Sequence, residues 1–363
     1  MTTSVTQAPS YAFPTRTKAI LDTDIGYLND DSIALAVLLG SPEVDLLGVS
    51  VVAGNFDHDQ EVIDGLSMLE RLGRTDVPLW RGAKRPLVHD RGRYHEGCWG
   101  GFATYEETTY PLGRPPAVEP APLYSPAAIS EAAHKYPGEV TIFAIGPLTN
   151  IAVALSADPE LAELLRGIVI MGGAIAGLPN GAGNVTPTSE FNFWVDPEAA
   201  AIVLRSGAPI LTVPLNVCRP VSYTEKFHQE ALKGSGPGVD LLEERMRGVF
   251  DSGTDDGDVA NFSHYGLTDS TAVIAGLRPE LGTVERLTFQ IDLSHGPAYG
   301  TSYTYRLGNL MDAKIADAPG VWDAMVQPAR LDGAVSDPVE VDVCVSIDPD
   351  GVRAQCVRRL TSL

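Results

Sequence analysis

Four carboxylates stand close together near the start of the chain, at Asp22, Asp24, Asp30 and Asp31. The first two follow an apolar run that ends at Leu21 and predicts a strand, and the last two open a run that predicts a helix. Open α/β sheets bind their ligands at the carboxyl ends of parallel strands, so this spacing brings the acids to one point. Like charges at this density repel unless a cation or protons hold them. Oxygen-only ligands suit a hard cation such as Ca²⁺ or Mg²⁺.

Part of this pattern has a simpler explanation. Asn29 or Asp30 is a favoured helix N-cap, and acids in the first turn, here Asp30 and Asp31, interact well with the helix dipole. Neither effect explains Asp22 and Asp24 at the strand end. The sequence therefore favours a functional site.

Other polar groups follow later predicted elements. Asn55 comes just after the second strand, where a turn Asn is also common. The pair Gly146-Pro147 exposes the carbonyl of Ile145, a suitable ligand for a hard cation, although Pro is also ordinary at a helix start. Asp269 opens a late helix, where it fits equally well as an N-cap.

Two loops carry further candidates. Asn184, Glu190 and Asn192 lie in a loop shaped by Gly and Pro, and their mix of donors and acceptors suits a polyol such as a sugar. The alternative is a solvated polar loop. His95 lies in a long segment rich in Gly, Pro and Tyr, from 82 to 122, and loops of this length are often functional. A lone loop His is more often solvent-exposed than catalytic.

The early two-thirds of the chain alternates strand-like and helix-like runs, which predicts parallel βαβ units in one sheet covered by helices. The predicted strands span 18–22, 45–52, 77–80, 139–145, 168–171 and 209–213, and the predicted helices span 31–39, 60–72, 126–135, 148–155 and 197–205. Residues 222–252 also look helical, and two-period runs at 286–293 and 339–347 predict added C-terminal strands. We expect one domain over 18–363 after a disordered or extended tail over 1–17.

Composition excludes several classes of protein. The 363 residues carry a formal net charge of −21, from 47 acids and 26 bases, and such a surface repels nucleic acids and anionic membranes. No apolar stretch approaches the roughly 20 residues that span a bilayer, and the polar N-terminus lacks the apolar region of a signal peptide. The four cysteines form no Cys-x-x-Cys pair, so neither a zinc ribbon nor a redox motif is indicated. We expect a cytoplasmic protein.

Read in chain order, these pieces resemble the inosine–uridine-preferring nucleoside hydrolase family. The resemblance runs from about residue 18 to residue 280, and the joint match in order is far more specific than any single piece. Its carriers are Asp22-Thr23-Asp24-Ile25-Gly26, Asp30-Asp31, Val52-Ala53-Gly54-Asn55, Gly146-Pro147-Leu148-Thr149-Asn150, Ile170-Met171-Gly172-Gly173, Asn184, Glu190-Phe191-Asn192, Asp196-Pro197-Glu198-Ala199-Ala200 and Asp269.

The resemblance implies a Rossmann-like nucleoside hydrolase architecture and a Ca²⁺-dependent enzyme that splits a ribonucleoside, or a related N-riboside, into ribose and free base. The metal ligands would be Asp24, Asp31, Asp269 and the carbonyl of Ile145. Asp24 would also be the general base. Asp22 would orient the neighbouring ligands without contacting the metal itself. The substrate contacts would come from Asp30, Asn55, His95, Asn184, Glu190, Asn192 and Asp269. A homodimer or homotetramer is implied as well.

The chain departs from the family pattern in two places. Ile25 replaces the usual Pro, and two more residues precede Asp30. Well-studied members carry a His immediately before the last metal Asp, where it protonates the leaving base, and this chain has Thr268. Three residues could substitute for that His as the acid: His264, Tyr265 or His95.

Two other functions remain open on the sequence. A phosphatase of the haloacid dehalogenase type would use Asp22 as nucleophile and Asp24 as acid/base, but it leaves Asp30, Asp31 and the 184–192 loop without a role. A ribose or nucleoside sensor would keep the metal and sugar contacts without turnover. Phosphate release and binding without ribose formation would distinguish these alternatives from the hydrolase.

Overall fold

A computed structural model describes residues 6–7, 10–89, 108–175, 178–251, 266–305 and 336–363. One sheet dominates the described part. Its strands are β1 (Thr6–Gln7), β2 (Thr17–Thr23), β3 (Val44–Val51), β4 (Leu79–Arg81), β5 (Ala121–Tyr124), β6 (Val140–Ala144), β7 (Gly167–Met171), β8 (Ile210–Val213), β9 (Gly282–Ile291), β10 (Ser302–Tyr305) and β11 (Val339–Ile347).

The strand order is β10-β9-β11-β8-β7-β6-β2-β3-β4-β5, and β1 pairs with β11. Pairing is parallel from β5 through to β11, while β9 and β10 pair antiparallel. The central strands β2 and β6 carry no exposed residue. The predicted α/β fold, with a mostly parallel sheet and added C-terminal strands, is confirmed.

Successive residues of the central strands enter different cores, because side chains alternate across a strand. Leu21 belongs to one hydrophobic cluster and its neighbour Ile20 to the other. Helices cover both faces of the sheet, as parallel sheets require. They are α1 (Asp30–Leu39), α2 (His58–Arg71), α3 (Ser125–Lys135), α4 (Thr149–Ala157), α5 (Leu161–Leu164), α6 (Phe191–Val195), α7 (Pro197–Leu204), α8 (Leu215–Cys218), α9 (Glu225–Ala231), α10 (Pro237–Asp251), α11 (Thr268–Leu277) and α12 (Pro349–Leu360).

Two expectations need correction, and one helix was not expected. The helical run 222–252 is two helices, α9 and α10, because Gly234 and Gly236 separate them, and Gly236 has a φ of 122°. The segment 82–122, read as irregular, leads into the short strand β5. Helix α12 was not predicted, and its few buried apolar residues are Val352, Cys356 and Leu360.

The N-terminal residues attach to the far side of the sheet. β1 pairs with β11, and the buried Tyr11 donates its backbone N–H to Asp342 Oδ2 at 2.7 Å. The division into a tail over 1–17 and a domain over 18–363 stays a prediction. Among the described residues, no helix has the length and apolar character needed to cross a bilayer.

Candidate acidic site

The site forms where β2, β3 and β6 end side by side. Asp22 lies opposite Ser50 of β3 and Ala144 of β6 in the parallel register. The chain then leaves the sheet edge and enters α1 at Asp30. The two halves of the acidic motif therefore meet at the carboxyl end of the sheet, as the sequence predicted.

Asn29, not Asp30, caps α1. Its Oδ1 accepts the backbone N–H of Ser32 at 3.2 Å, while its Nδ2 donates to Asp31 Oδ2 at 2.7 Å. Capping therefore leaves both acids of the first turn unexplained.

Asp24 is buried just past the end of β2. Its Oδ2 accepts the backbone N–H of Asn55 at 2.9 Å. A Cβ at Gly54 would lie 2.1 Å from that oxygen, so only glycine allows this approach. Burial raises the pKa of Asp24 well above its usual value, and the charges of Asp31 and Glu61 raise it further.

Asp30, Asp31 and Asp269 form a compact group in which one carboxylate oxygen from each lies within 4.8 Å of the others. Thr23 Oγ1 donates to Asp31 Oδ1. Burial, and then the charge of Asp30, raises the pKa of Asp31 to about 7. Burial also raises the pKa of Asp269 well above its usual range, followed by the charges of Asp30, Asp31 and Asp24.

This donor set fits a hard divalent cation. All the donors are oxygens, and three of the four carboxylates are buried. The charge of Asp31 opposes ionisation of Asp24, and the charges of Asp30, Asp31 and Asp24 oppose ionisation of Asp269. Asp24 is not part of this group of three, but its charge raises the pKa of Asp269. The carbonyl of Ile145 accepts Asn192 Nδ2 at 2.9 Å and retains a second lone pair.

Asp22 points away from this group, toward α4. Its Oδ2 accepts Ser50 Oγ and also Asn150 Nδ2, the latter at 2.9 Å, and burial raises its pKa to about 7. The side chain has no exposed surface. A buried carboxyl held in this way is not an accessible nucleophile, which argues against the phosphatase.

Asn55 links the acids to the next strand. Its Nδ2 lies 3.2 Å from the carbonyl oxygen of Asp24 and 3.4 Å from Asp31 Oδ2. The backbone N–H groups on both sides of Asn55 donate to Glu61 Oε1, at 3.2 and 2.9 Å. Glu61, on α2, thus fixes the turn that presents Asn55.

The 184–192 loop uses most of its polar atoms internally. Glu190 caps α6: its two oxygens accept the backbone N–H groups of Asn192, Phe193 and Gly173, at 2.9, 3.2 and 2.9 Å. Asn184 Oδ1 accepts the N–H of Phe191 at 2.9 Å. Asn192 Nδ2 ties the loop to the ends of β6 and β7, through Ile145 and the Met171 carbonyl at 3.0 Å.

The predicted leaving-group residues are only partly described. Thr268 is buried at the start of α11, directly before Asp269. His95, His264 and Tyr265 lie outside the described residues. Their part in the site stays a prediction.

Several residues that hold the acids in place were not predicted from the sequence. They are Thr23, Ser50, Glu61, Asn150 and Arg245. Asn150 belongs to a motif that carried the resemblance, and this was a usable signal. Glu61 and Arg245 lie on amphipathic helices. The sequence of such a helix does not distinguish a charged residue that faces the site from one that faces water.

Comparison with known proteins gives one consistent answer. The family model described as "Inosine-uridine preferring nucleoside hydrolase" matches residues 19–354. The pyrimidine-specific ribonucleoside hydrolase RihB of Escherichia coli O157:H7 is 30% identical over 298 residues, which cover 81% of this chain and 88% of RihB.

Solved structures agree. A plant nucleoside hydrolase, PpNRh1, superposes with a TM-score of 0.70 at 26% identity, covering 96% of this chain and 99% of its own. The purine-preferring ribonucleoside hydrolase of Gardnerella vaginalis gives a TM-score of 0.68, with 95% and 98% covered. Its 24% identity shows the shared fold alone.

Proposed function

Because the chain belongs to the inosine-uridine preferring nucleoside hydrolase family, we propose that it hydrolyses the N-glycosidic bond of a ribonucleoside or related N-riboside with the help of Ca²⁺. Membership makes the chain an enzyme, a hydrolase of N-glycosyl bonds. The observation that carries the proposal is the convergence of half-buried Asp30 with buried Asp31 and Asp269, beside Asp24.

Ca²⁺ would be held by Asp24, Asp31, Asp269 and the Ile145 carbonyl, with Asp30 beside them. When bound, such an ion offsets the mutual repulsion of the acids, orients a sugar diol and lowers the pKa of a nearby water.

Asp24 is the proposed general base. The Asn55 N–H and the close glycine backbone fix its carboxylate at the sheet edge, so that it points at one place. A fixed carboxylate there accepts the proton of the attacking water. The surrounding acids stabilise the oxocarbenium character that develops on the ribose as the glycosidic bond breaks.

Sugar hydroxyls would meet Asp30, Asn55, Asn184, Glu190 and Asn192, with His95 as a further predicted contact. Asn192 Oδ1 and Asn184 Nδ2 form no hydrogen bond with another residue that the structure describes. These two atoms therefore keep their hydrogen-bonding capacity for a hydroxyl. Glu190 already accepts three backbone N–H groups, so we assign it mainly to shaping the loop.

The leaving base needs a proton or an easy departure. Thr268 has no group that titrates near neutrality, so it does not replace the family His as an acid. The preferred base is not set by membership, since one relative is named pyrimidine-specific and another purine-preferring. We also propose a homodimer or homotetramer, which sedimentation would test.

The direct test is a panel of inosine, adenosine, uridine and cytidine, assayed for reducing sugar with Ca²⁺ and with a chelator. We expect ribose from at least one nucleoside and loss of that activity on chelation. Binding of a ribose-like iminosugar with no ribose from any substrate would favour the sensor instead. Phosphate release from a nucleotide without ribose release would contradict the proposal.

A further inference from the structure

We propose that Arg245 of α10 is a positioning residue of the acidic site: its guanidinium grips the backbone that delivers Asp30 and faces the acids with a fixed positive charge. This inference rests on the proposed function. Its experiment includes a measurement that does not need turnover.

The backbone before α1 needs such support. Leu28, two residues before Asp30, has a φ of 66°, the left-handed region that leucine rarely adopts. Its carbonyl accepts Arg245 Nη1. A conformation that a Leu disfavours persists only where neighbouring groups hold it.

Arg245 is itself held in place. Its Nε donates to the hydroxyl of buried Tyr223 at 3.0 Å, and its guanidinium carbon lies 5.5 Å from the centre of that ring. Leu28 and Tyr223 therefore engage two different nitrogens of the same planar group. A fork of this kind transmits geometry that a single flexible ammonium does not.

The cation also lies in the field of the site. Burial lowers the pKa of Arg245, but the Tyr223 hydroxyl and the charges of Asp30 and Asp269 more than offset that effect, so its pKa is raised. The guanidinium thus remains charged and interacts favourably with two of the three clustered carboxylates.

Two other contacts brace the same loop. On the α10 side, Glu244 pairs with Arg71 at 2.6 Å, and Arg71 donates to the hydroxyl of Tyr27 at 2.8 Å. On the α2 side, Asp64 Oδ2 accepts the backbone N–H of Tyr27 at 3.1 Å. The loop between β2 and α1 is therefore fixed by contacts from both α2 and α10. Arg245 makes the contact at Leu28, close to Asp30.

The test compares Arg245→Met, which keeps length but removes the donors and charge, with Arg245→Lys, which keeps the charge but not the fork. Arg247→Met is the matched control, because Arg247 lies two residues on in the same helix, is exposed and pairs with Glu243 at the surface. Three readouts are taken: amide exchange of the 25–31 peptide, Ca²⁺ affinity by calorimetry, and KM against kcat.

Positioning predicts faster exchange of the 25–31 peptide in Arg245→Met. It predicts KM raised about tenfold with kcat changed less than about threefold, because contacts of Asp30 that serve ground and transition state alike are lost. Ca²⁺ should bind more weakly, even though losing a nearby positive charge would by itself tighten it. Arg245→Lys should fall between wild type and Arg245→Met, and Arg247→Met should match wild type.

Three results would overturn the inference: unchanged exchange in Arg245→Met, tighter Ca²⁺ binding with unchanged KM, or a lysine variant equal to wild type. If Arg245→Met does not fold, Arg245→Lys alone decides by the same three readouts. A wild type that releases no ribose would defeat the proposed function, and the exchange measurement would still decide the role of Arg245.

Discussion

Two polar clusters lie at the same edge of the sheet and differ in how far the fold already satisfies them. In the 184–192 loop, the carboxylate of Glu190 accepts three backbone N–H groups, and the Asn192 amide donates to two strand ends. In the acidic site, Asp24, Asp31 and Asp269 are buried. The charge of Asp31 raises the pKa of Asp24, and the charges of Asp31 and Asp24 raise the pKa of Asp269.

The contrast distinguishes a structural role from a ligand-binding role, which the sequence alone does not separate. Polar groups with backbone partners stabilise the loop and keep few atoms for a ligand. Buried acids that oppose one another are stable only with protons or a cation, so they mark the place where a ligand adds most. Perturbed acids of this kind gather at functional sites.

The largest effect should come from Asp24→Asn. The amide keeps the shape and an acceptor for the Asn55 N–H, but it loses the base and one charge. We expect turnover to fall about 10²–10⁴-fold, the usual value of a general base. The measurement is kcat for ribose release, with circular dichroism to confirm the fold.

Asp45→Asn is the control, because Asp45 is exposed and pairs with Lys18. Near-wild-type turnover of folded Asp24→Asn would show that another group is the general base. It would also contradict the assignment of the acidic site as the reactive cluster and of the 184–192 loop as the structural one.

Glu190→Ala tests whether the 184–192 loop contributes mainly to stability or to sugar binding. Removing the capping carboxylate leaves three backbone N–H groups without their acceptor, and this should cost about 1–3 kcal/mol of unfolding free energy, measured by urea titration. Glu190→Gln retains acceptors and should recover part of that loss. If Glu190→Ala instead leaves stability unchanged and removes iminosugar binding, the loop is a primary sugar site.

Asn192→Ala should weaken iminosugar binding by about 1–3 kcal/mol, because a sugar hydroxyl and the Ile145 carbonyl both lose a partner. Calorimetric titration with a ribose-like iminosugar measures this loss. An unchanged affinity would make the loop a scaffold only.

Thr268→His tests the leaving group. Without a neutral-range acid at Thr268, the wild type should cleave p-nitrophenyl riboside much better than inosine, and the His variant should narrow that gap. The measurement is kcat/KM for both substrates in both proteins. Equal values in the wild type would show that a competent acid is already present.

The smallest effect concerns pH. Asp22 and Asp31 have pKa values raised to about 7, against 3.8 when unperturbed. The folded protein then binds more protons than the unfolded chain between about pH 4 and pH 7, so these acids stabilise the fold below that window and cease to do so above it. We expect Ca²⁺ to raise the Tm more at pH 7.5 than at pH 5. An equal rise at both pH values would contradict the raised pKa values.

Much of this was readable from the sequence. Parallel strands end together, so Asp24 and Asp31 had to converge once β2 and α1 were recognised, and the family match confirms the resemblance read from the motifs. The same alternation of elements predicted the parallel sheet, which is confirmed.

Other features were out of reach for physical reasons. Sequence spacing does not show that the oxygens of Glu190 face backbone N–H groups, since those groups come from residues that the fold brings together. Nor does it show that Arg245 reaches Leu28 across more than 200 residues. Such contacts depend on tertiary packing, which places one charged residue of α10 inward and the next outward.

The central claim is that the acidic cluster is a cation site, and calorimetric titration of the metal-free protein with Ca²⁺ tests it most directly. We predict one Ca²⁺ per chain, with protons released at pH 7 because the acids hold them in the free state. Asp31→Asn and Asp269→Asn should each weaken binding at least tenfold. Absence of binding, or binding that neither substitution changes, would contradict the account.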